Sequence, residues 1–478
     1  MLTLLISFFL TGSGVVSLPA FTPDSIESKI DSVETGRVTI DNIFIIGNKK
    51  TKDKIILREM DITSGGVYAK EVLPEIIEAD RNKIRNLLLF TSVEIKTLYV
   101  TPNLVDVVVK VSERWYIFPV PIFNLADRNF NDWWQNQDHD FSRTSYGIKI
   151  FQNNFRGRNE TLRLLLQFGY TRQFGLSYRI PYIDRSQRHG MFVGFDYAEN
   201  KNIAVQTTGH DRVFLDSEDV LRLQRSFDLG YRFRNSFYTR HSAWITFNAN
   251  AIADTVAIIN PNYYKNGETV QRYFELSYAF QRDKRDNISY PLRGNELEAI
   301  FTKKGLGIFN DVDQFDVKLR YTQYSDLTHN FFLANYSSIY FSGPEDQPYS
   351  TLGGLGYKND FVRGYELFVV EGQNYYLNRT TLKKRLFAFR ERLNFMPVEQ
   401  FRDFPLAVYL KTYFDFGYVE NIDRYQENFL NTSLSNRYIY GTGAGLDIVS
   451  SYDTVLRFEY SFNREGDAGF FFHMKKEF

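Results

Sequence analysis

The sequence predicts a mainly β protein, in which a transmembrane barrel of about sixteen antiparallel strands follows one small α+β domain. Apolar and aromatic residues alternate with polar ones along most of the chain after Trp115. Aromatic residues reach 17% although hydrophobic residues total only 43%, which suits a wall with one apolar and one wet face. Past residue 20, no apolar run reaches the roughly 18 residues of a membrane-spanning helix, so any span must be built from strands.

Residues 1–20 are predicted to be an export signal. The run from Leu2 to Leu10 is almost entirely apolar, and small residues follow it. No Lys or Arg precedes the run, which departs from the usual pattern. Cleavage is expected after Ser17 or Ala20.

Charge and composition exclude several classes of function. The 57 basic and 57 acidic residues balance, and no basic stripe recommends nucleic acid as a partner. The chain has no cysteine, which removes disulfides, thiolate chemistry and a lipid-anchored N-terminus. His189, His210 and His241 lack metal-ligand spacing and are interpreted as surface or lumen residues. Since no nucleophile–base order, phosphate loop or paired-carboxylate context occurs, we expect no enzymatic activity, no metal and no cofactor.

The first domain is predicted over residues 37–113, with the order strand, helix, helix, strand, strand. Thr51 is expected to cap the first helix, and Gly65-Gly66 separates the two helices. Any small α+β domain with a half-open sheet would fit the same pattern. An exposed strand edge in such a sheet can pair with an extended peptide through main-chain hydrogen bonds. The predicted strands and helices are Arg37–Gly47, a short helix with Ile55, Ile56 and Met60, a helix over 72–88, Val93–Val100 and Leu104–Val111.

The second domain is predicted over residues 114–478 as the barrel. In one strand Leu162, Leu164 and Leu166 share a face opposite Arg163 and Gln167. A soluble β-sandwich also alternates, but aromatic residues at strand ends and the absence of helices between strands favour a barrel. About 365 residues at about 23 per strand with its connection give about sixteen strands, an even number as single-chain barrels require.

The last strand is predicted from Gly469 to Phe478. Phe470, Phe472 and Phe478 share one face, and a terminal aromatic resembles the signal by which outer-membrane barrels are recognised for insertion. Lys476 on the same face departs from the pattern, and a terminal Phe can also arise by chance.

The first domain resembles a POTRA domain. Its pattern is a strand ending in Gly47-Asn48, a helix with Arg58-Glu59, a Gly-Gly turn, and Phe90 three residues before Val93. Each piece is weak alone, whereas the set in this order is fairly specific.

A second motif narrows the resemblance. Val362-Arg363-Gly364-Tyr365 lies in a long connection, 342–375, and resembles the loop motif of the BamA/TamA-type outer-membrane assembly and translocation superfamily. In that superfamily the loop folds into the barrel and its Arg pairs with an inward-facing acid. Asp415 and Gly417 in Tyr413-Phe414-Asp415-Phe416-Gly417 match that acidic motif, except that Tyr replaces its first residue. Stretches near Trp115 and Trp133-Trp134 resemble members from Bacteroidota.

The resemblance implies a factor that inserts outer-membrane proteins or translocates polypeptides, with the barrel in the bacterial outer membrane and the POTRA domain in the periplasm. Its partners would be unfolded outer-membrane or exported polypeptides and outer-membrane lipid, with periplasmic chaperones or lipoproteins as further candidates. The seam between the first and last strands is the expected working edge, marked by Tyr116, Phe123, Phe470, Phe472 and Phe478. The alternative is a passive channel or receptor, or an exporter of one substrate.

Overall fold

The computed structural model describes residues 36–125, 141, 144–309, 311–357, 360–421 and 430–475. The predicted export signal, Trp133-Trp134, Lys476 and Phe478 lie outside the described residues. None of the described helices combines the length and the apolar character needed to cross a membrane.

The first domain has a four-stranded sheet in the order β2-β1-β4-β3. The strand β2 was not predicted, because three residues directly after Gly65-Gly66 are too few to show a period. Its core is formed by apolar residues that alternate along β1 and β4 and recur along the helices, such as Val38, Ile56 and Val107. The elements are β1 (Arg37–Ile46), α1 (Asp53–Leu57), β2 (Val67–Ala69), α2 (Leu73–Arg85), β3 (Phe90–Thr101) and β4 (Leu104–Glu113).

The prediction that Thr51 caps the first helix is wrong. Lys52 holds the capping position, without a side-chain hydrogen bond. Thr51 is buried and its hydroxyl instead donates to Glu113 and accepts from Asn154 of the second domain. The hydroxyl therefore joins the two domains.

The second domain is built almost entirely of strands. Among the described residues one short helix, α3 (Asp254–Ile259), interrupts them, so the expectation of no helix between strands is wrong at that point. The strands are β5 (Ile117–Leu125), β6 (Thr144–Phe155), β7 (Glu160–Gly169), β8 (Arg172–Ile180), β9 (His189–Asn200), β10 (Asn202–Gly209), β11 (Asp211–Asp216), β12 (Arg222–Arg234), β13 (Thr239–Ile252), β14 (Val270–Asp283), β15 (Gly294–Lys304), β16 (Gln314–Thr328), β17 (Phe331–Gly343), β18 (Gly354–Leu355), β19 (Val370–Glu371), β20 (Asn374–Arg392), β21 (Asp403–Glu420), β22 (Leu430–Thr432), β23 (Tyr438–Val449), β24 (Val455–Asn463) and β25 (Ala468–Lys475), with 3-10 turns at Tyr349–Thr351, Glu399–Phe401 and Ser451–Asp453.

Sixteen of these strands form one antiparallel sheet that runs from β5 to β25, which confirms the predicted barrel. Outward-facing side chains such as Leu176, Phe195 and Phe227 are apolar and exposed, as a lipid-facing wall requires. Inward-facing Asp447 and Glu459 are buried among other polar groups. We call the end that carries the first domain the proximal mouth and the opposite end the distal mouth.

The first domain is docked on the proximal mouth. The guanidinium of Arg234 at the end of β12 donates two hydrogen bonds to the carboxylate of Glu59, at 2.6 and 2.7 Å. Arg114, just before β5, pairs with Asp453 in the turn before β24. Contacts from the first domain and from Arg114, which directly follows it, reach six proximal turns. The contacts are Lys52–Gly157, Lys54–Gln187, Lys83–Phe237, Asn86–Asp286, Lys49–Glu399 and Arg114–Asp453.

Candidate functional site: the lumenal loop and the barrel seam

The connection between β17 and β20, residues 344–373, folds back into the barrel, and we call it the lumenal loop. Its two-stranded sheet, β18 with β19, is fully buried. Val362 and Tyr365 are 1% and 2% exposed and pack with Leu377, Val419 and Ile439 of the barrel wall. Apolar packing therefore holds the loop against the inner wall close to its charged residue.

The charged residue at the tip of the lumenal loop is Arg363, which faces Asp415 on β21. Its Nε and Nη2 donate to the two carboxylate oxygens at 2.8 and 2.6 Å, and its backbone N–H donates to the same group at 3.0 Å. The guanidinium also lies over the Tyr413 ring at 3.8 Å and 3.4 Å from a carboxylate oxygen of Glu459. Such a bidentate, charge-assisted pair between two buried groups fixes both distance and orientation.

Three glycines allow the loop to approach the wall this closely. Gly364 has a φ of +94°, which only glycine adopts without strain. A Cβ at Gly417 would meet Val362 at 2.8 Å, and a Cβ at Gly441 would collide with the Arg363 carbonyl. Gly441 was not predicted from the sequence. The alternating glycines Gly441, Gly443 and Gly445 on β23 are the signal that could have revealed it.

A second anchor, also missed, is Asp360 on the opposite side of the loop tip. It accepts hydrogen bonds from the hydroxyls of Tyr336 at 2.6 Å and Tyr375 at 3.1 Å, and it pairs with Lys318. Arg320 lies 3.4 Å from the same carboxylate. The loop is therefore tied to β16, β17 and β20 as well as to β21.

The ion-pair network extends from Arg363 to the proximal mouth. The ammonium of Lys411 lies 2.9 Å from Glu459 and 2.6 Å from Asp447. Asp447 accepts a hydrogen bond at 2.9 Å from Tyr290, whose ring packs on Tyr409 at 4.8 Å. Tyr290 belongs to the turn 284–293, between β14 and β15, which projects into the barrel. The network therefore joins a proximal turn to the lumenal loop.

The same turn contacts the first domain. The side chain of Asn86, which follows α2, donates to the carbonyls of Arg285 and Asp286 at 3.4 Å and accepts from the backbone N–H of Ile288 at 3.2 Å. A continuous series of contacts thus runs from the first domain through Tyr290 to the tip of the loop.

The seam is formed by β5 and β25, the two ends of the sixteen-stranded sheet. Within the described residues, β5 pairs with β6 alone and β25 with β24 alone. The Tyr116 carbonyl accepts from Asn153, next to β6, so the even-numbered residues of β5 face β6 and the odd-numbered ones face the free edge. Pro119 and Pro121 therefore remove two N–H donors from that edge.

The predicted seam residues divide into three groups. Phe123, Phe470 and Phe472 lie on the two edge strands, with their side chains exposed on the outer wall. Tyr116 does not belong to the seam, because it precedes β5 and packs in the core of the first domain, with its hydroxyl donating to the Leu89 carbonyl at 3.0 Å. Phe478 lies outside the described residues.

The three histidines are placed in different surroundings. His189 and His241 lie on barrel strands and hydrogen-bond to the hydroxyls of Tyr231 and Tyr278 at 2.5 and 2.8 Å. His210 lies between β10 and β11 at the distal mouth, with its ring 4.3 Å from that of Phe368 in the lumenal loop.

Comparison with known proteins agrees with this architecture. A family model for the POTRA domain, described as a surface antigen variable number repeat, matches residues 38–114. A model for the Omp85 superfamily domain matches residues 154–380. No curated protein matches the sequence.

Two solved structures share the fold. BamA from Haemophilus ducreyi lacking POTRA domains 1–3 is 15% identical, with 92% of this chain and 83% of that chain covered and a TM-score of 0.50. CdiB from Escherichia coli is 12% identical, with coverage of 91% and 76% and a TM-score of 0.53.

A sixteen-stranded barrel with a loop inside its lumen and one POTRA domain is the architecture of the Omp85 class of outer-membrane barrels. The chain belongs to the Omp85 superfamily, which confirms the BamA/TamA-type membership indicated by its motifs.

Proposed function

We propose that this protein resides in the bacterial outer membrane with its POTRA domain in the periplasm, and that it inserts outer-membrane proteins or translocates polypeptides. It would act without nucleotide, metal or other cofactor, by offering open strand edges to an unfolded client. The observation that carries the proposal is the seam, where β5 and β25 each leave one edge without a ladder partner among the described residues.

The energetic reason is the cost of bare backbone in a membrane. An N–H or C=O without a partner in hydrocarbon costs several kcal/mol. A client strand that pairs with β5 or β25 would satisfy its own groups and those of the seam at the same time. The missing donors of Pro119 and Pro121 keep β5 a poor partner for β25, which favours exchange over permanent closure.

The POTRA domain supplies a second edge. Its outermost strand β3 has 12 residues, whereas the strand at the other edge of the sheet, β2, has three. Leu98, Tyr99 and Val100 on β3 are each more than half exposed. A long edge with exposed apolar side chains suits capture of an extended segment, with little demand on its sequence.

A disulfide across the seam tests the proposal. The chain has no native cysteine, so the double variant F123C/F470C would contain a single pair of cysteines. The pair would lie near the distal ends of β5 and β25. We expect oxidation to block accumulation of other barrel proteins in cells depleted of the wild type, with recovery on reduction. The matched control is F123C with Y146C, because Phe123 and Tyr146 are already paired across β5 and β6.

Normal assembly with the seam locked would reject the proposal. The competing function, a passive channel or an exporter of one substrate, predicts a different result on depletion. It would produce a defect confined to one solute or one exported protein, whereas an assembly role lowers many barrel proteins together.

A further inference from the structure

Five arginines gather where the POTRA domain meets the barrel wall, and we call them the arginine cluster. Arg58 comes from the POTRA domain, and its guanidinium lies 3.5 Å from the centre of the Tyr182 ring. Arg179, Arg232 and Arg240 lie on β8, β12 and β13 and repel one another electrostatically. The strand alternation puts these three on the inner wall, together with Arg234. The members are Arg58, Arg179, Arg232, Arg234 and Arg240.

One carboxylate is bonded to the cluster, that of Glu59 on Arg234. Among the described residues, no carboxylate lies within 4.0 Å of Arg179, Arg232 or Arg240. Their side-chain hydrogen bonds are to neutral hydroxyls, from Arg179 to Thr161 at 3.1 Å and from Arg232 to Ser242 at 3.4 Å.

The other acids near the cluster already have partners of their own. Asp184 accepts from two backbone N–H groups at 3.1 and 3.0 Å, and Asp283 accepts two hydrogen bonds from Arg285. Asp228 accepts from Thr246 at 2.6 Å, and Glu298 pairs with Arg320 at 2.7 Å. Asp184 and Asp228 are bonded to neutral donors and keep their negative charge, so with Glu59 three carboxylates face the five guanidiniums. The cluster keeps an excess of positive charge.

Arg58 is only partly compensated, because its Nε lies 3.9 Å from the Glu59 carboxylate that Arg234 binds more closely. The Nη1 of Arg58 is buried without a hydrogen-bond partner among the described residues. Burial lowers the pKa of the Arg58 guanidinium to about 10, and the nearby Arg234 contributes in the same direction. A buried donor without an acceptor is costly, and an incoming oxyanion would satisfy it.

The cluster borders open space inside the barrel. A cavity of about 390 Å³ is lined by Arg179 and Arg232 and also by two carboxylates, those of Asp228 and Glu298. Arg179 is exposed to this space, and Arg232 and Arg240 are half-buried. The charges are thus accessible from the lumen.

We propose that the arginine cluster binds an acidic, extended segment of a polypeptide at the proximal mouth. This inference rests on the proposed function and names the chemistry of its client. The bidentate bond between Arg234 and Glu59 shows, within this structure, how the cluster holds a carboxylate.

The spread of the cluster favours a peptide over a single phosphate. Its barrel members lie on three strands, β8, β12 and β13, and β9 lies between the first two. The cluster therefore spans about 14 Å, at about 4.8 Å per strand. Side chains on one face of an extended peptide recur about every 7 Å, so alternate carboxylates can reach successive arginines. One phosphate head group could engage a single point of the cluster.

Fluorescence anisotropy with the full chain in detergent tests the site. The probe is a labelled decapeptide of alternating Glu and Ser, and the comparison peptide replaces Glu with Lys. We expect R179Q/R232Q to weaken binding of the acidic probe about tenfold or more, and R179K/R232K to retain part of it. The matched control is R163Q, an inward-facing arginine on β7 outside the cluster. Heat-modifiable gel mobility verifies that each variant is folded.

Three results would overturn the site: equal affinity in R179Q/R232Q, equal binding of the Lys peptide, or displacement by dihexanoylphosphatidylglycerol at matching concentration. The last would assign the cluster to lipid head groups. The seam disulfide tests the proposed function separately from this site. If the acidic peptide binds but the locked barrel still supports normal assembly, the proposed function is rejected and the binding site is retained.

Discussion

At the scale of single residues, the ion pair of Arg363 with Asp415 fixes the position of the lumenal loop more than it stabilises the fold. Both groups are withdrawn from water, with Arg363 7% and Asp415 0% exposed, and that desolvation offsets much of their attraction. The planar fork and the backbone N–H bond leave the loop tip one orientation. Loss of one partner is nevertheless costly, because it strands the other charge in the lumen.

We therefore expect R363A to destabilise the folded barrel by about 3–5 kcal/mol, and R363K to recover only part because lysine lacks the fork. The temperature at which the heat-modifiable gel band shifts should fall in the same order. R172A is the control, because Arg172 is 62% exposed in its pair with Glu199. Equal transition temperatures for R363A and R172A would contradict this prediction.

At the scale of elements, two segments enter the barrel from opposite mouths and meet. The lumenal loop reaches inward to Glu459, and the turn 284–293 reaches inward to Asp447. Lys411 bridges the two carboxylates. Since Asn86 holds the turn from the POTRA side, displacement of the domain would pull on the same network that positions the loop.

The hydroxyl of Tyr290 connects the turn 284–293 to Asp447, so Y290F should weaken the link between that turn and the lumenal loop. Removing the hydrogen bond to a buried carboxylate is expected to cost about 1–3 kcal/mol and to increase cleavage of the lumenal loop by an added protease. Y278F is the control, since Tyr278 bonds to His241 on the outer wall. Unchanged cleavage kinetics in Y290F would separate the turn from the loop.

The sequence was informative where a short-range rule acts. Period-two alternation predicted the barrel, and the resemblance of the motifs around Arg363 and Asp415 to those of a known superfamily implied the loop contact, which the structure contains. Asp360 and Tyr290 were missed, because their roles arise from contacts with strands 15 or more positions away. Nothing local marks an aspartate or a tyrosine as a member of a lumenal network.

At the scale of the whole molecule, fifteen ladders join the sixteen strands of the sheet, and no ladder joins β5 to β25 among the described residues. The two prolines of β5 lie on its free edge, where they remove donors that β25 could otherwise use. Elsewhere in the sheet, consecutive strands pair along most of their length, as between β20 and β21. Any lateral opening should therefore begin at the seam.

Restoring the two missing N–H donors on the free edge of β5 should strengthen pairing across the seam. We expect P119V/P121V to increase the free energy of unfolding of the barrel by about 1 kcal/mol per restored hydrogen bond, and so to raise its transition temperature. The same variant should slow assembly of other barrel proteins. P405V is the matched control, because Pro405 lies on β21, paired with Arg390 of β20 and away from the seam. Faster assembly in P119V/P121V would show that the prolines have another role.

The salt bridge from Arg114 to Asp453 adds a geometric consequence. It fastens the chain just before β5 to the turn before β24, and the Trp115 N–H reinforces it by donating to the Tyr452 hydroxyl at 3.2 Å. These contacts hold the two sides of the seam together beside the POTRA domain, as a hinge would. They do not restrain the strands farther from that domain. Separation of the flanks would grow with distance from that hinge, so the aperture would be a wedge, narrow at the proximal mouth and broad at the distal mouth.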